Sequence, residues 1–125
     1  MRVLLDTHLL LWALYAPERL PVSARQQLLT AEVFVSAASI WEIGIKSALG
    51  KLDVSAAEVL GAIEPTGFMQ LSISGAHAAH AAALPPWHKD PFDRLLVAQA
   101  SLEPLILLTN DRMLQGYGSF VTLIS

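Results

Sequence analysis

The sequence predicts an α/β protein, a three-layer α/β/α sandwich with a parallel sheet of four to five strands, in a single domain over residues 1–125. Short apolar, β-branched runs alternate with segments of helical spacing, the pattern of parallel strands joined by crossover helices. The strand runs are apolar throughout, as expected for strands that are buried on both faces. A chain of 125 residues suits one core.

The N-terminal part of the chain predicts two strands and two helices. The apolar run RVLLD predicts a buried strand over 2–6, and HLLLWALY predicts a short helix over 8–15 that ends at the following proline. A second helix is expected over 23–31, capped by its first residue, a serine. The β-branched and aromatic run VFVSA predicts the second strand, over 33–37.

The middle of the chain continues the alternation. SIWEIGIKSALG has helical spacing over 39–50 and stops at a glycine, and a further helix over 55–64 ends before Pro-Thr-Gly. The alternating run MQLSI predicts a strand over 69–73. An alanine-rich helix over 75–84 is then stopped by two prolines.

The C-terminal part predicts a helix over 91–103, a buried strand over 105–109, one or two helical turns over 111–115 and a last strand over 120–124. The resulting order is β-α-α-β-α-α-β-α-α-β-α-β. Because crossover helices cover both faces of a sheet joined in this way, the order predicts a parallel sheet between two helical layers.

Composition excludes several kinds of protein. The chain has no cysteine, so disulfides, thiolate metal sites and cysteine nucleophiles are excluded. A net charge of −3 provides no overall positive field for nucleic acid, which would need a local patch or metal ions. No apolar run approaches the roughly 20 residues of a membrane span. We expect a cytoplasmic protein that does not enter a membrane.

Four of the eleven acidic residues lie where predicted strands end or in the helices just after them. They are Asp6, Glu42, Asp93 and Asp111. Ligands of parallel sheets bind beyond the carboxyl ends of the strands. Carboxylates about 4 Å apart repel by about 4 kcal/mol per pair at an effective dielectric constant near 20, unless a cation lies between them. Oxygen ligands without cysteine or histidine predict Mg²⁺ or Mn²⁺.

Each of these acids also has a purely structural interpretation. Asp6 and Asp111 could cap the helices that follow them. Ser39 and Glu42 match a capping box, and Glu42 is also spaced to pair with Lys46. Singly, each structural interpretation is as good as the functional one, and only the joint placement of the four favours a metal site.

The segment HKDPFDRLLVAQA places two aspartates at the head of an apolar helix. Asp90 is predicted to be the N-cap, with the following proline as the first helical residue and Arg94 as its ion-pair partner. Asp93 faces the core side of the helix, where a carboxylate needs a partner. His88 is expected to satisfy a hydrogen bond in the loop.

Four motifs in this order, LLDTH, SIWEIGIKSALGKL, WHKDPFDRLLVAQA and LLTND, resemble those of PIN-domain proteins, and most closely the VapC-type toxins of bacterial toxin–antitoxin pairs. The resemblance covers essentially the whole chain. It implies a Mg²⁺- or Mn²⁺-dependent endoribonuclease, a hydrolase of RNA phosphodiesters. The family's metal-binding and catalytic acids fall on Asp6, Glu42, Asp93 and Asp111, and Thr109 falls where the family often has a hydroxyl near the metal.

The resemblance also implies partners: an RNA substrate, a second copy of the chain in a homodimer, and a cognate antitoxin whose C-terminal peptide lies across the cleft. Basic residues near the acidic segments could contact flanking phosphates or lie on a solvated surface. They are Lys46, Lys51, Lys89 and Arg112.

Two other functions fit a chain with acids at the edge of a parallel sheet. A phospho-acceptor signalling domain gathers acids and Mg²⁺ at the same edge, but here the acids are spread over four segments and none stands out as the acceptor. A catalytically inactive PIN-fold interaction module would be indicated by a lost acid, and all four acids are present.

Overall fold

The computed structural model describes residues 1–124 and contains a five-stranded, wholly parallel sheet. The strand order is β3-β2-β1-β4-β5. The strands are β1 (Arg2–Leu5), β2 (Glu32–Ser36), β3 (Met69–Leu71), β4 (Ile106–Thr109) and β5 (Val121–Leu123). The predicted α/β class and the parallel sheet of up to five strands are confirmed.

Six α-helices connect the strands within the described residues. They are α1 (Thr7–Tyr15), α2 (Val22–Thr30), α3 (Ala37–Ala48), α4 (Ala56–Ile63), α5 (Gly75–Ala83) and α6 (Pro91–Leu102). Two 3-10 helices, Pro17–Arg19 and Arg112–Tyr117, complete the helical segments, and the second replaces the short helix predicted over 111–115. Within residues 1–124, every helix is too short or too polar to cross a membrane.

The sheet is covered on both faces. Neighbouring residues of its central strands point to opposite sides, so each central strand contributes side chains to both faces. Val3 and Leu5 of β1 belong to a core cluster that also contains Leu9 of α1, whereas Leu4 belongs to a second cluster with Leu96 and other residues of α6. The buried middle of each central strand is therefore apolar on both sides, as two-sided burial requires.

Strand order brings three strand ends to one place. β1 lies between β2 and β4, with Leu4 opposite Phe34 and Leu5 opposite Leu108. The Asp6 N–H continues the β1–β4 ladder by donating to the Leu108 carbonyl at 3.0 Å. The residues that follow β1, β2 and β4 therefore meet at the carboxyl edge of the sheet.

Two predicted helix caps are wrong. Helix α2 begins at Val22 after Pro21, without a side-chain cap, so the predicted serine cap does not form. Helix α3 is capped by Ser36, whose hydroxyl accepts from the Ala38 N–H at 3.0 Å. Ser39 lies inside the helix and is buried, because β2 runs into α3 without a loop and the helix starts earlier than the sequence pattern predicted.

We predict that truncating Leu107 to alanine lowers the free energy of unfolding by about 2–5 kcal/mol, because the side chain is fully buried and its loss leaves a cavity. Leu29, which is 85% exposed, is the matched control, and Leu29→Ala should change stability by less than about 0.5 kcal/mol. Urea denaturation measures both values. Equal effects of the two substitutions would contradict the burial assigned to β4.

Candidate metal centre

The four predicted acids all lie at the carboxyl edge of the sheet. Asp6 directly follows β1, Glu42 lies in the second turn of α3, Asp93 in the first turn of α6, and Asp111 two residues after β4. The fold thus brings together four segments that are far apart in sequence, and the contacts of each carboxylate show what it can do.

Asp6 combines a capping contact with a contact across the sheet. Its Oδ1 accepts from the Leu9 N–H at 2.9 Å, which caps α1 as the structural interpretation predicted. Its Oδ2 accepts from the Thr109 hydroxyl at 2.5 Å. The side chain is almost wholly buried, and this burial raises the pKa of the Asp6 carboxyl above its ordinary value. One carboxylate therefore ties α1 to the end of β4.

Glu42 is buried and has a partner on each oxygen. Its Oε1 accepts from the Thr7 hydroxyl at 2.7 Å, and its Oε2 accepts from Lys46 Nζ at 2.8 Å. The predicted pairing with Lys46 is confirmed, and the hydrogen bond to Glu42 raises the pKa of the Lys46 ammonium. Thr7 also contacts the buried Ser39 hydroxyl at 2.9 Å. Lys46 therefore balances the charge of Glu42.

Asp93 and Asp111 meet at a histidine. His88 Nε2 lies 2.8 Å from Asp93 Oδ2 and 3.2 Å from Asp111 Oδ2. One potential ligand atom from each of the three residues lies within 4.8 Å of the other two, and all three residues are half-buried. The other oxygen of Asp111 accepts from the Met113 N–H at 2.9 Å and caps the second 3-10 helix.

The environment of Asp93 disfavours its charged form. Burial, together with the negative charges of Asp90 and Glu42, raises the pKa of the Asp93 carboxyl to about 6, against the opposing effect of His88. A carboxylate held in this way gains from any cation placed beside it. The sequence predicted that the Asp93 carboxylate needs such a partner.

Threonine hydroxyls connect the separate pairs. Thr109 donates to Asp6 and accepts from the Asp111 N–H at 3.0 Å, so it links β1 to the segment after β4. Thr7, the neighbour of Asp6, donates to Glu42. Polar contacts therefore connect Asp6 to Asp111 through Thr109, and Asp111 to Asp93 through His88. Glu42 is joined to Thr7, the neighbour of Asp6 in the sequence.

The expectation that all four carboxylates gather in one tight group is only partly met. Within residues 1–124, the group of potential ligands that lie within 4.8 Å of one another contains His88, Asp93 and Asp111. Asp6 and Glu42 border this group, with their oxygens turned to Thr109, Thr7 and Lys46. The physical reason is that hydrogen-bond donors compensate these two buried charges within the chain itself.

His88 is the residue that sequence reasoning missed. It was expected to satisfy a loop hydrogen bond, but its imidazole lies between two of the predicted acids. The sequence predicts oxygen ligands alone, whereas the fold places a histidine nitrogen beside two of the acids. The sequence offered one signal for His88, because Asp93, five residues further along the chain, needed a partner. Only the fold brings Asp111 to the same histidine nitrogen.

The loop that carries His88 is held by Arg94, which lies outside the acidic group. The Arg94 guanidinium donates to the carbonyls at the end of α5, Ala81 at 2.7 Å and Leu84 at 3.0 Å, and to those of the loop, Pro85 at 3.0 Å and His88 at 3.2 Å. The predicted pairing of Arg94 with Asp90 is wrong because the fold presents these four carbonyls instead.

Asp90 is nevertheless the N-cap of α6, as predicted. Its Oδ1 accepts from the N–H groups of Phe92 at 2.8 Å and Asp93 at 3.1 Å. Of the basic residues considered for phosphate contacts, Lys46 is engaged by Glu42, whereas Lys51, Lys89 and Arg112 are exposed.

The donor set suits a divalent cation. Carboxylate oxygens are the preferred ligands of Mg²⁺, and Mn²⁺ accepts both carboxylate and imidazole. A three-residue group with two acids and one histidine could hold such an ion. Thr109 links Asp6 to Asp111 of this group, and the negative charge of Glu42 acts on Asp93.

Comparison with known families agrees with this geometry. The PIN domain family model matches residues 3–118. The chain belongs to the PIN domain family. The match includes the segments that carry the four acids and His88. A comparison with curated proteins found no match.

Solved structures of similar fold come from Rickettsia felis, Klebsiella pneumoniae and Neisseria gonorrhoeae. A VapBC2 complex from Rickettsia felis, bound to a promoter DNA fragment, matches with a TM-score of 0.72 at 15% identity over 100% of both chains. A toxin–antitoxin complex from Klebsiella pneumoniae matches with a TM-score of 0.65 at 20% identity, over 96% of this chain and 95% of that one. FitAcB from Neisseria gonorrhoeae matches with a TM-score of 0.61 at 21% identity, over 94% and 92%.

We predict that Asp93→Asn raises the free energy of unfolding of the metal-free PIN domain above that of the wild type, and that this gain is larger at pH 7.5 than at pH 4. The raised pKa means that the folded state binds more protons at Asp93 than the unfolded state between about pH 4 and pH 6, so the wild type loses stability as pH rises through this window. The cost reaches at most about 3 kcal/mol above pH 6. Asparagine carries no charge, so Asp93→Asn avoids this cost.

Denaturation in EDTA at several pH values measures the difference between the two proteins. Asp53→Asn, on an exposed loop, is the control and should show no such pH-dependent difference. A stability difference between Asp93→Asn and wild type that stays constant from pH 4 to pH 7.5 would contradict the strained charge at Asp93.

Proposed function

We propose that this PIN-domain protein is a VapC-type toxin, a Mg²⁺- or Mn²⁺-dependent endoribonuclease of a toxin–antitoxin pair. The observation that carries the proposal is the convergence of Asp6, Glu42, Asp93 and Asp111 at one sheet edge, in a fold whose structural relatives include toxin–antitoxin complexes. The polar contacts around these acids support the same role, because each acid has at least one carboxylate oxygen near the carboxyl edge of the sheet.

The proposed reaction is in-line hydrolysis of an RNA phosphodiester. Asp6, Glu42 and Asp93 would hold the first ion, and Asp111 would complete its shell or help to hold a second. A bound divalent cation supplies activation of a water molecule and neutralises charge on the phosphate. It also makes a net-negative protein compatible with a polyanionic substrate.

The residues of the chain have defined tasks in this mechanism. Thr109 orients Asp6 by donating to Oδ2, and it fixes the start of the Asp111 segment through the Asp111 N–H. Lys46 and Thr7 hold the two oxygens of Glu42. Asp90 sets the first turn of α6 and so the position of Asp93. Arg112, which is exposed at the same edge, remains a candidate for contacting a flanking phosphate.

The partners follow from the same proposal. A cognate antitoxin would block the cleft with a C-terminal peptide, and both proteins would act in the cytoplasm. A second copy of the chain would cover the α3 apolar face, defined as Trp41, Ile45 and Leu49. These side chains recur every four residues on one side of α3 and are 64%, 38% and 64% exposed. Exposed apolar faces of this kind mark protein interfaces.

We predict that purified, antitoxin-free protein cleaves RNA with Mg²⁺ or Mn²⁺, and that EDTA stops the reaction. Asp6→Asn and Asp93→Asn should each lower the cleavage rate by more than about 100-fold, since loss of even an outer partner of a metal site costs about 10–100-fold. A fluorogenic RNA assay measures the rates, and circular dichroism confirms that the variants are folded.

The matched control is Asp53→Asn, which removes an exposed carboxylate outside the site and should leave the rate unchanged. If Asp6→Asn and Asp93→Asn cut as fast as wild type, the proposed site is wrong. Tight Mn²⁺ binding with no cleavage of any RNA would instead favour the inactive interaction module.

We also predict that Leu49→Glu converts a dimer to a monomer at micromolar concentration, because it places a charge in the α3 apolar face. Leu29→Glu, at an 85% exposed position on α2, should leave the dimer intact. Light scattering after size exclusion gives both masses. A wild-type monomer, or a dimer that survives Leu49→Glu, would exclude this interface.

A further inference from the structure

We propose that His88 binds the divalent ion directly through Nε2, beside Asp93 and Asp111, so that the centre prefers Mn²⁺ to Mg²⁺. The inference rests on the metal dependence of the proposed function and deepens it. Three observations support it: the spacing of the three ligand atoms, the rigid attachment of His88, and the chemistry of the donor set.

The distances around Nε2 fit one face of a coordination shell. In an octahedral shell with ligands about 2.1 Å from the ion, adjacent ligand atoms are about 3.0 Å apart. His88 Nε2 lies 2.8 Å from Asp93 Oδ2 and 3.2 Å from Asp111 Oδ2. The two distances are therefore compatible with adjacent positions of an octahedral shell, and one ligand atom from each of the three residues lies within 4.8 Å of the other two.

His88 is held in place by residues that do not touch the acids. Its N–H donates to the Tyr117 hydroxyl at 3.0 Å, and its carbonyl accepts from Arg94 at 3.2 Å. The Tyr117 hydroxyl also donates to the Pro85 carbonyl at 2.7 Å, and its ring packs on Trp87 with centroids 5.0 Å apart. The contacts of the His88 N–H and carbonyl fix its backbone, and so the point from which its imidazole reaches the two acids.

The imidazole could instead act only as a hydrogen-bond donor between the two carboxylates, at the same distances. The two roles exclude each other at any moment, because Nε2 carries either a proton or the lone pair that a metal ion needs. The His88 side chain is only 14% exposed, so the imidazole is largely enclosed beside the two carboxylates. Direct detection of a metal–nitrogen bond decides between the roles.

The donor set has a consequence for ion choice. Mg²⁺ favours oxygen ligands and keeps several waters, whereas Mn²⁺ also accepts imidazole nitrogen. Replacing His88 by phenylalanine, which has no donor atom, should weaken Mn²⁺ binding by at least about 10-fold. Mg²⁺ binding should change by less than about threefold, since its remaining ligands are oxygens.

The experiment uses the purified full chain with Mn²⁺ alone and no RNA. Electron spin echo envelope modulation of bound Mn²⁺ should detect coupling to a directly bonded ¹⁴N nucleus, replaced by a ¹⁵N signal after histidine labelling. The coupling should persist in His80→Gln, a half-buried histidine of α5, and disappear in His88→Phe. Calorimetric titration with Mn²⁺ and with Mg²⁺ gives the two affinity changes.

The outcomes separate this inference from the proposed function. Mn²⁺ bound to wild type without nitrogen coupling would overturn the role of His88 and leave the carboxylate centre standing. Equal losses of Mn²⁺ and Mg²⁺ affinity in His88→Phe would overturn the predicted preference. No Mn²⁺ binding by the wild type would overturn both proposals. The spectrum of the wild type is decisive even if His88→Phe does not fold.

Discussion

The contact between Asp6 and Thr109 is the constraint on which the site depends. It joins the ends of the two central strands, β1 and β4, through a buried carboxylate and a hydroxyl 2.5 Å apart. Buried carboxylates are costly without donors, so this bond and the Leu9 N–H hold Asp6 in one orientation. The same hydroxyl accepts from the Asp111 N–H, so two of the four acids take their positions from one side chain.

Helix capping occupies one oxygen of an aspartate and leaves the other available for a second contact. Asp6 and Asp111 each use Oδ1 for a backbone N–H and keep Oδ2 for the shared edge. Capping fixes the first oxygen and thereby aims the second. The capping interpretation of Asp6 and Asp111 is thus correct, and it accounts for one of the two oxygens of each carboxylate.

Charge compensation divides the site into two halves. Lys46 neutralises Glu42 within one helix, so this half is balanced within the protein. Asp93 has a raised pKa and Asp90 as a negatively charged neighbour, and its side chain is bonded to His88. An added cation would therefore gain most beside Asp93.

The sequence by itself determined the α/β class, the five strands and the four acids at strand exits, because apolar periodicity and strand ends are local features. The cap of α3, the carbonyl contacts of Arg94 and the position of His88 were decided only by the tertiary structure. Each depends on how segments join or meet in the fold. β2 runs into α3 without a loop, α5 meets α6, and the loop before α6 meets the segment after β4. Local patterns carry no information about such meetings, since a hydrogen bond forms with whichever partner the fold brings within reach.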